Sequence, residues 1–210
     1  DRENVVFFAS GVSNSLETDK SAFLREENLI RKTIKENPNK IFIYFSTCSI
    51  YDSSKNGSSY VNHKLKMEQI VEELANQFLI LRVSNAVGKG GNPNLLMNYL
   101  VNAFHQEKEI TVHTLATRNL IDADDVKNIT LKFINENNFN KIINVAYLEN
   151  FSTIQILEIL EKHFNKTAKT SLVKSGQSYL ISIPEAEAYF AENKLTEKKE
   201  YLLRIIKRYY

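Results

Sequence analysis

Four short apolar runs, at residues 5–9, 41–45, 78–83 and 142–146, are separated by stretches in which apolar positions recur every three or four residues. Runs of that length without polar alternation suit β-strands buried on both faces of a parallel sheet. The intervening stretches, at 21–36, 59–76, 93–106 and 123–136, carry the period of amphipathic helices. Strand, helix, strand, helix predicts an α/β chain with right-handed crossovers. Beyond residue 150 the pattern changes. A helix starts at Ser152-Thr153-Ile154 and runs to Phe164, a polar stretch covers 171–178, and further helices are predicted at 184–192 and 196–210. No repeat, low-complexity tract or Pro-rich linker divides the chain, so its two parts are expected to interleave in sequence.

The second run ends in Ser46-Thr47-Cys48-Ser49-Ile50-Tyr51, and the next helix opens with Tyr60-Val61-Asn62-His63-Lys64. Tyr60 and Lys64, four apart, share one helix face. Where that face lines a cofactor pocket, the ammonium favours the phenolate and draws a phenol pKa of about 10 towards neutrality, which makes the tyrosine a usable acid or base. A hydroxyl at the end of the neighbouring strand, Thr47, completes a proton-handling triad. Tyr and Lys at this spacing also arise by chance. The position just after a strand ending in Ser-Thr is what distinguishes this pair. His63 falls off the Tyr–Lys face and reads as a surface or packing residue, while His105, His113 and His163 show no ligand spacing.

At these residues the chain resembles the extended short-chain dehydrogenase/reductases, in particular the NAD(P)-dependent nucleotide-sugar epimerases, dehydratases and reductases. Val5-Val6-Phe7-Phe8-Ala9-Ser10-Gly11 resembles that family's fourth strand, and Phe45-Ser46-Thr47-Cys48-Ser49-Ile50-Tyr51 its fifth. Leu81-Arg82-Val83-Ser84-Asn85-Ala86-Val87-Gly88 is similar to the segment after the sixth strand. Arg118-Asn119-Leu120-Ile121-Asp122-Ala123-Asp124-Asp125-Val126 resembles the R-D-(F/Y)-I-H-V-x-D-(V/L) motif. The resemblance implies a Rossmann-like, doubly wound parallel sheet with a smaller C-terminal substrate-binding part. Residues 1–90 and 119–150 would form the dinucleotide-binding domain, and 91–118 and 151–210 the substrate-binding part.

The resemblance also assigns roles. Thr47, Tyr60 and Lys64 would be catalytic. Tyr60 would exchange a proton with the sugar hydroxyl or ketone, Lys64 would bind the nicotinamide ribose, and Thr47 would hydrogen-bond the reacting oxygen, its other reading being strand-end capping. Phe8, Ala9, Ser10, Ser46, Val83, Ser84 and Ala86, with Tyr60 and Lys64, would contact NAD or NADP. Asn85 would approach the sugar or its phosphate, or be an ordinary turn residue. Arg118 would clamp the substrate diphosphate, as a planar bidentate donor does, or be a solvated surface residue. Sugar 4,6-dehydratases of the family carry Asp and Glu directly after the catalytic Thr, where this chain has Cys48 and Ser49. Dehydration is disfavoured. C4 epimerisation and net reduction of a 4-keto sugar remain, and the short loop at 52–59 leans towards a reductase. A non-catalytic nucleotide-binding or scaffold member of the same fold is the alternative.

The family's opening strand, glycine-rich turn and helix are not in this sequence, which starts at Asp1 without Met, already at the fourth strand. The sequence is expected to lack upstream residues, and the first strand would otherwise leave an unpaired edge. None of the 6 glycines makes a dinucleotide fingerprint. Gly88-Lys89-Gly90-Gly91 fits neither phosphate-loop spacing and reads as a substrate-proximal loop capping a helix at Pro93.

Composition narrows the partners. The 210 residues are 43% hydrophobic with a net charge of +2 and no basic stripe, so nucleic acid is excluded as an expected partner. No apolar run is long enough to span a bilayer and these residues carry no signal peptide, although missing upstream residues could hide one, so no membrane partner is expected. The lone cysteine, Cys48, excludes an internal disulfide and suits a reducing cytoplasm. Cys48 reads as a small buried packing residue rather than a nucleophile. Asp122, Asp124 and Asp125 are explained by capping of a helix start, so no metal is assigned. Apolar positions at Phe23, Leu24, Ile30, Leu65, Ile70 and Leu74 serve either a homodimer's four-helix interface or the core, and Tyr209-Tyr210 reads as a frayed end.

Overall fold

The computed structural model describes residues 3–93 and 95–210. Asp1, where the sequence starts, and Asn94, after Pro93, lie outside them. Strands β1 (Val5–Phe8), β2 (Ile41–Thr47) and β3 (Phe78–Val83) alternate with helices α1 (Lys20–Glu36) and α2 (Ser59–Leu74). After β3 come β4 (Asn85–Val87), α3 (Leu96–His105), β5 (Ile110–His113), β6 (Thr117–Arg118), β7 (Leu120–Asp122) and α4 (Ala123–Asn135). The chain then forms β8 (Lys141–Val145), β9 (Phe151–Ser152), α5 (Thr153–Phe164), β10 (Thr170–Val173), α6 (Pro184–Glu192) and α7 (Lys198–Tyr209).

The sheet has the order β1-β2-β3-β8 with every pair parallel, in the register Val5↔Ile41, Phe42↔Phe78 and Leu79↔Lys141. Alternate residues of β2 feed opposite faces, as a period of two requires. Phe42 and Tyr44 pack with Ile30 and Ile34 of α1 and Met67, Ile70 and Val71 of α2. Ile41 and Ile43 join Leu79, Leu81, Ile129 and Phe133 in the other core, which α5, α6 and α7 complete. Ile43, Leu79 and Leu81 have no exposed surface, and each such side chain contributes about 1.5–3 kcal/mol of burial. The fold is Rossmann-like and doubly wound.

Ile30 and Ile70 belong to this core, whereas Leu24 and Leu74 are exposed. The last two residues are not frayed. The Tyr209 hydroxyl donates to Asp122 Oδ1 at 2.7 Å and the Tyr210 hydroxyl to Asn98 Oδ1 at 2.5 Å, which pins α7 to α4 and α3. Pro93 does not open α3, whose first residue is Leu96 after a Leu95 cap without a side-chain hydrogen bond. The glycine loop is instead held from the helix, because Asn98 Nδ2 donates to Gly90 O at 3.1 Å and Asn92 O at 3.0 Å. The polar stretch at 171–178 begins as a strand, since β10 pairs in parallel with β5.

Candidate active site

The carboxyl ends of β1, β2 and β3 open into one cavity of about 530 Å³. In open α/β sheets this crevice is where ligands bind. Phe8 and Ala9 line it at the end of β1, Thr47 and Ser49 at the end of β2, and Val83 and Ser84 at the end of β3, followed by Asn85 and Ala86 of β4. Tyr60 and Lys64 enter from α2, Arg118 from β6, and Lys55 and Tyr179 from connecting segments. Ser10 does not line the cavity; it is exposed, and its carbonyl accepts from Arg25 Nη2 at 3.3 Å. Ser46 reaches the wall, but its hydroxyl is committed to Glu68 at 2.5 Å.

Thr47 ends β2, and its Oγ1 accepts from Ser49 N at 3.0 Å, capping the short turn Cys48–Tyr51. The same side chain lines the cavity with Tyr60 and favours ionisation of its phenol. The capping bond is therefore present, and Thr47 also faces the cavity. Ser58 caps α2 by accepting from Val61 N at 3.3 Å, which fixes where the helix starts and so where Tyr60 and Lys64 point. All three of Thr47, Tyr60 and Lys64 are buried.

Lys64 does not meet the tyrosine as an unopposed charge. Its Nζ donates to Glu26 Oε1 at 3.1 Å and to Phe45 O at 3.0 Å, and lies 4.5 Å from the Tyr44 ring centre. Glu26, a fully buried residue of α1, also accepts from Val12 N at 2.7 Å, the Tyr44 hydroxyl at 2.8 Å and His63 Nε2 at 3.0 Å. Burial pushes the Glu26 carboxyl up, but the His63 bond, the Lys64 charge and the other donors outweigh it and hold it at about 2. Lys64 is lowered by burial, opposed by the Glu26 charge. The Tyr60 phenol is raised, first by burial and also by the Glu26 charge, with Thr47 working against both. The phenol is thus raised rather than lowered, and the ammonium expected to lower it is met by a buried carboxylate. His63 is neither exposed nor idle: it is buried on Glu26 and stacked 4.5 Å from the Phe23 ring.

Asn119 organises the wall after β3. Its Oδ1 accepts from Ser84 Oγ at 2.9 Å and Tyr147 N at 2.8 Å, and its carbonyl accepts from Asn85 Nδ2 at 2.8 Å. Arg118 Nη1 donates to Thr117 O at 2.7 Å and Gln177 O at 3.3 Å, which lays the guanidinium along the cavity rim. Lys55 faces the same space, its ammonium lowered first by burial and then by Arg118, with Asp52 opposing. Cys48 is buried, donates to Arg82 O at 2.9 Å and has its thiol pushed up to about 12, mainly by burial. Asp122 caps α4 by accepting from Asp124 N at 2.8 Å, and Asp125 binds Tyr189, Tyr201 and Arg204 at 2.7, 2.8 and 2.6 Å. No group of three or more His, Cys, Asp or Glu among the described residues has metal-holding geometry.

Glu26, Lys55, Asn119 and Tyr179 escaped the sequence reading. For Glu26 a signal existed: it shares a four-residue spacing with Ile30 and Ile34, the other two buried residues of α1. An acid on an apolar stripe needs partners inside.

A parallel sheet wound by helices on both faces, with its crevice at the strand ends, defines a Rossmann-like α/β protein. The model of the NAD dependent epimerase/dehydratase family matches residues 5–146, and the chain belongs to that family. No curated protein matches it by sequence. Among solved structures it is similar to a UDP-glucuronic acid 4-epimerase from Bacillus cereus in complex with UDP-glucuronic acid and NAD, with TM-score 0.73 and 19% identity over 96% of this chain and 76% of that one. A UDP-N-acetylglucosamine 4-epimerase from Methanobrevibacter ruminantium M1 gives TM-score 0.69 and 16% identity over 96% and 77%. A dTDP-glucose 4,6-dehydratase from Bacillus anthracis in complex with NAD gives 0.65 and 16% over 90% and 70%. At these identities the likeness is one of fold. Among the described residues no helix is long and apolar enough to cross a membrane.

Proposed function

We propose that this protein carries out NAD(P)-dependent hydride chemistry at C4 of a nucleotide-activated sugar, as a 4-epimerase or a 4-keto-sugar reductase. The observation that carries the reading is Thr47, Tyr60 and Lys64 brought together on the wall of a cavity at the carboxyl ends of three parallel strands. The apolar shelf of Phe8, Ala9, Val83 and Ala86 fits a nicotinamide ring and its ribose. Two acceptors take two of the three Lys64 N–H groups among the described residues, leaving one for a ribose hydroxyl. Bound there, NAD or NADP would supply the acceptor and donor of hydride.

The chain's own groups do the rest. Tyr60 holds the proton that leaves or joins the sugar's C4 oxygen, and Thr47 donates to that oxygen as charge develops. Asn85, fixed by Asn119, faces the sugar. Arg118, with Lys55 lining the same cavity, places positive charge where a diphosphate would lie. Residues 91–118 and 151–210 contribute the sugar-nucleotide side. The structural relatives' names, two 4-epimerases that act on UDP-sugars, support a UDP-sugar as substrate.

A non-catalytic nucleotide-binding role is the second reading, favoured by the raised Tyr60 phenol and the Glu26–Lys64 pair. Tyr60→Phe separates the two. The enzyme reading expects turnover to fall by about 10²- to 10⁴-fold with dinucleotide binding nearly intact. Equal activity in variant and parent would refute it.

A further inference from the structure

We propose that Glu26 is the positioning residue of the Thr47–Tyr60–Lys64 set: one buried carboxylate seats the Lys64 ammonium, cancels its charge and ties the Val12 backbone to the cavity wall. The inference rests on the proposed function only in calling that set a reaction centre.

Four donors converge on the carboxylate, two to each oxygen. Oε1 accepts from Tyr44 and Lys64, and Oε2 from Val12 and His63. All four lone-pair sites are filled, so the group has no freedom to rotate away from Lys64. A solvated surface acid would not be built this way. Gly11 shows how closely the loop is fitted: a Cβ there would lie 2.6 Å from Glu26 Oε1 and 3.1 Å from Lys64 Nζ. Val12 and Gly11 both line the cavity, so the carboxylate joins the loop after β1 to the lysine of α2 and to Tyr44 of β2.

The consequence concerns Tyr60. The groups that face it or its lysine are Thr47 and Tyr44 of β2, Glu26 of α1, and His63, Lys64 and Glu68 of α2. Burial and the Glu26 charge both raise the phenol, and the ammonium paired with Glu26 is not among the groups that lower it. Removing Glu26 leaves the ammonium unopposed. Removing Lys64 leaves the carboxylate unopposed and penalises the phenolate further.

The test follows phenol ionisation directly by NMR on the full chain, with tyrosine labelled at the ζ carbon and the Tyr60 signal identified by its loss in Tyr60→Phe. No substrate, cofactor or turnover enters, so the proposed reaction can fail without touching the result. In Glu26→Gln the Tyr60 midpoint falls below that of the parent, and in Lys64→Met it rises. The double variant Glu26→Gln/Lys64→Met, which buries no lone charge and folds if the single variants do not, returns the midpoint to the parental value. A Glu26→Gln midpoint equal to the parent's, or a double variant that titrates well away from the parent, would overturn the proposal.

Discussion

Glu26 makes the stability of this protein depend on acid in a calculable way. Its carboxyl falls from an ordinary value of 4.5 to about 2 in the folded chain. At about 1.4 kcal/mol per pH unit, that difference corresponds to about 3 kcal/mol of folding free energy. The side chain has no exposed surface, so solvent screening does not erode the figure as it would for a surface pair. The sign follows from proton binding. The folded state gives up this proton more easily than the unfolded state, so the stabilisation is complete above 4.5 and lost as pH falls towards about 2. Urea unfolding of the parent and of Glu26→Gln, read by circular dichroism at several pH values from about 7 to about 3, measures it. Near neutrality the variant should be about 3 kcal/mol less stable, within the range for breaking a buried ion pair. The gap should narrow steadily below about pH 4.5. A gap that stays constant down to about pH 3 would show that the carboxylate is not held by these donors.

Gly11→Ala should lower stability by about 1–3 kcal/mol, because the new Cβ would meet Glu26 Oε1 at 2.6 Å and that oxygen is pinned. Gly57→Ala is the comparison: nothing lies within 4 Å there, and the cost is only the backbone strain of a φ of +73°, about 1 kcal/mol. Urea midpoints of the two variants should differ in that order. The Cys48 thiol, buried and pushed up to about 12, should resist an aromatic disulfide reagent in the native protein and react stoichiometrically in urea, monitored by absorbance. Arg118→Ala should raise KM for a UDP-sugar by about tenfold or more while kcat changes little, if the guanidinium binds diphosphate in ground and transition states alike.

The four strands of the sheet were legible because strands buried on both faces must be apolar throughout, and runs such as Ile41–Thr47 leave little else to read. Helix starts were legible where a cap stands, at Ser58 and at Ser152 with Gln155. The small strand pairs β4–β7 and β6–β9 were not, since two or three residues carry no period and their partners are set by tertiary packing. The Tyr–Lys spacing reads as one helix face, and both side chains line the cavity, where burial and the Glu26 charge raise the Tyr60 phenol. Spacing along α2 reports which residues share a face, and the residue that decides their charge balance lies 38 positions earlier on another helix. Charged residues in a helix read by default as solvated, so Glu26 was passed over although its stripe-mates Ile30 and Ile34 are both buried.

The most direct test of the central claim is a rapid-mixing measurement of reduced nicotinamide absorbance when the full-length protein with NAD meets a UDP-hexose, run beside Tyr60→Phe. Oxidation at C4 is a step of epimerisation and the reverse of 4-keto reduction, so either form of the reaction should give a transient in the parent and almost none in the variant. No transient with any UDP-hexose, or one of equal rate in Tyr60→Phe, would contradict the account.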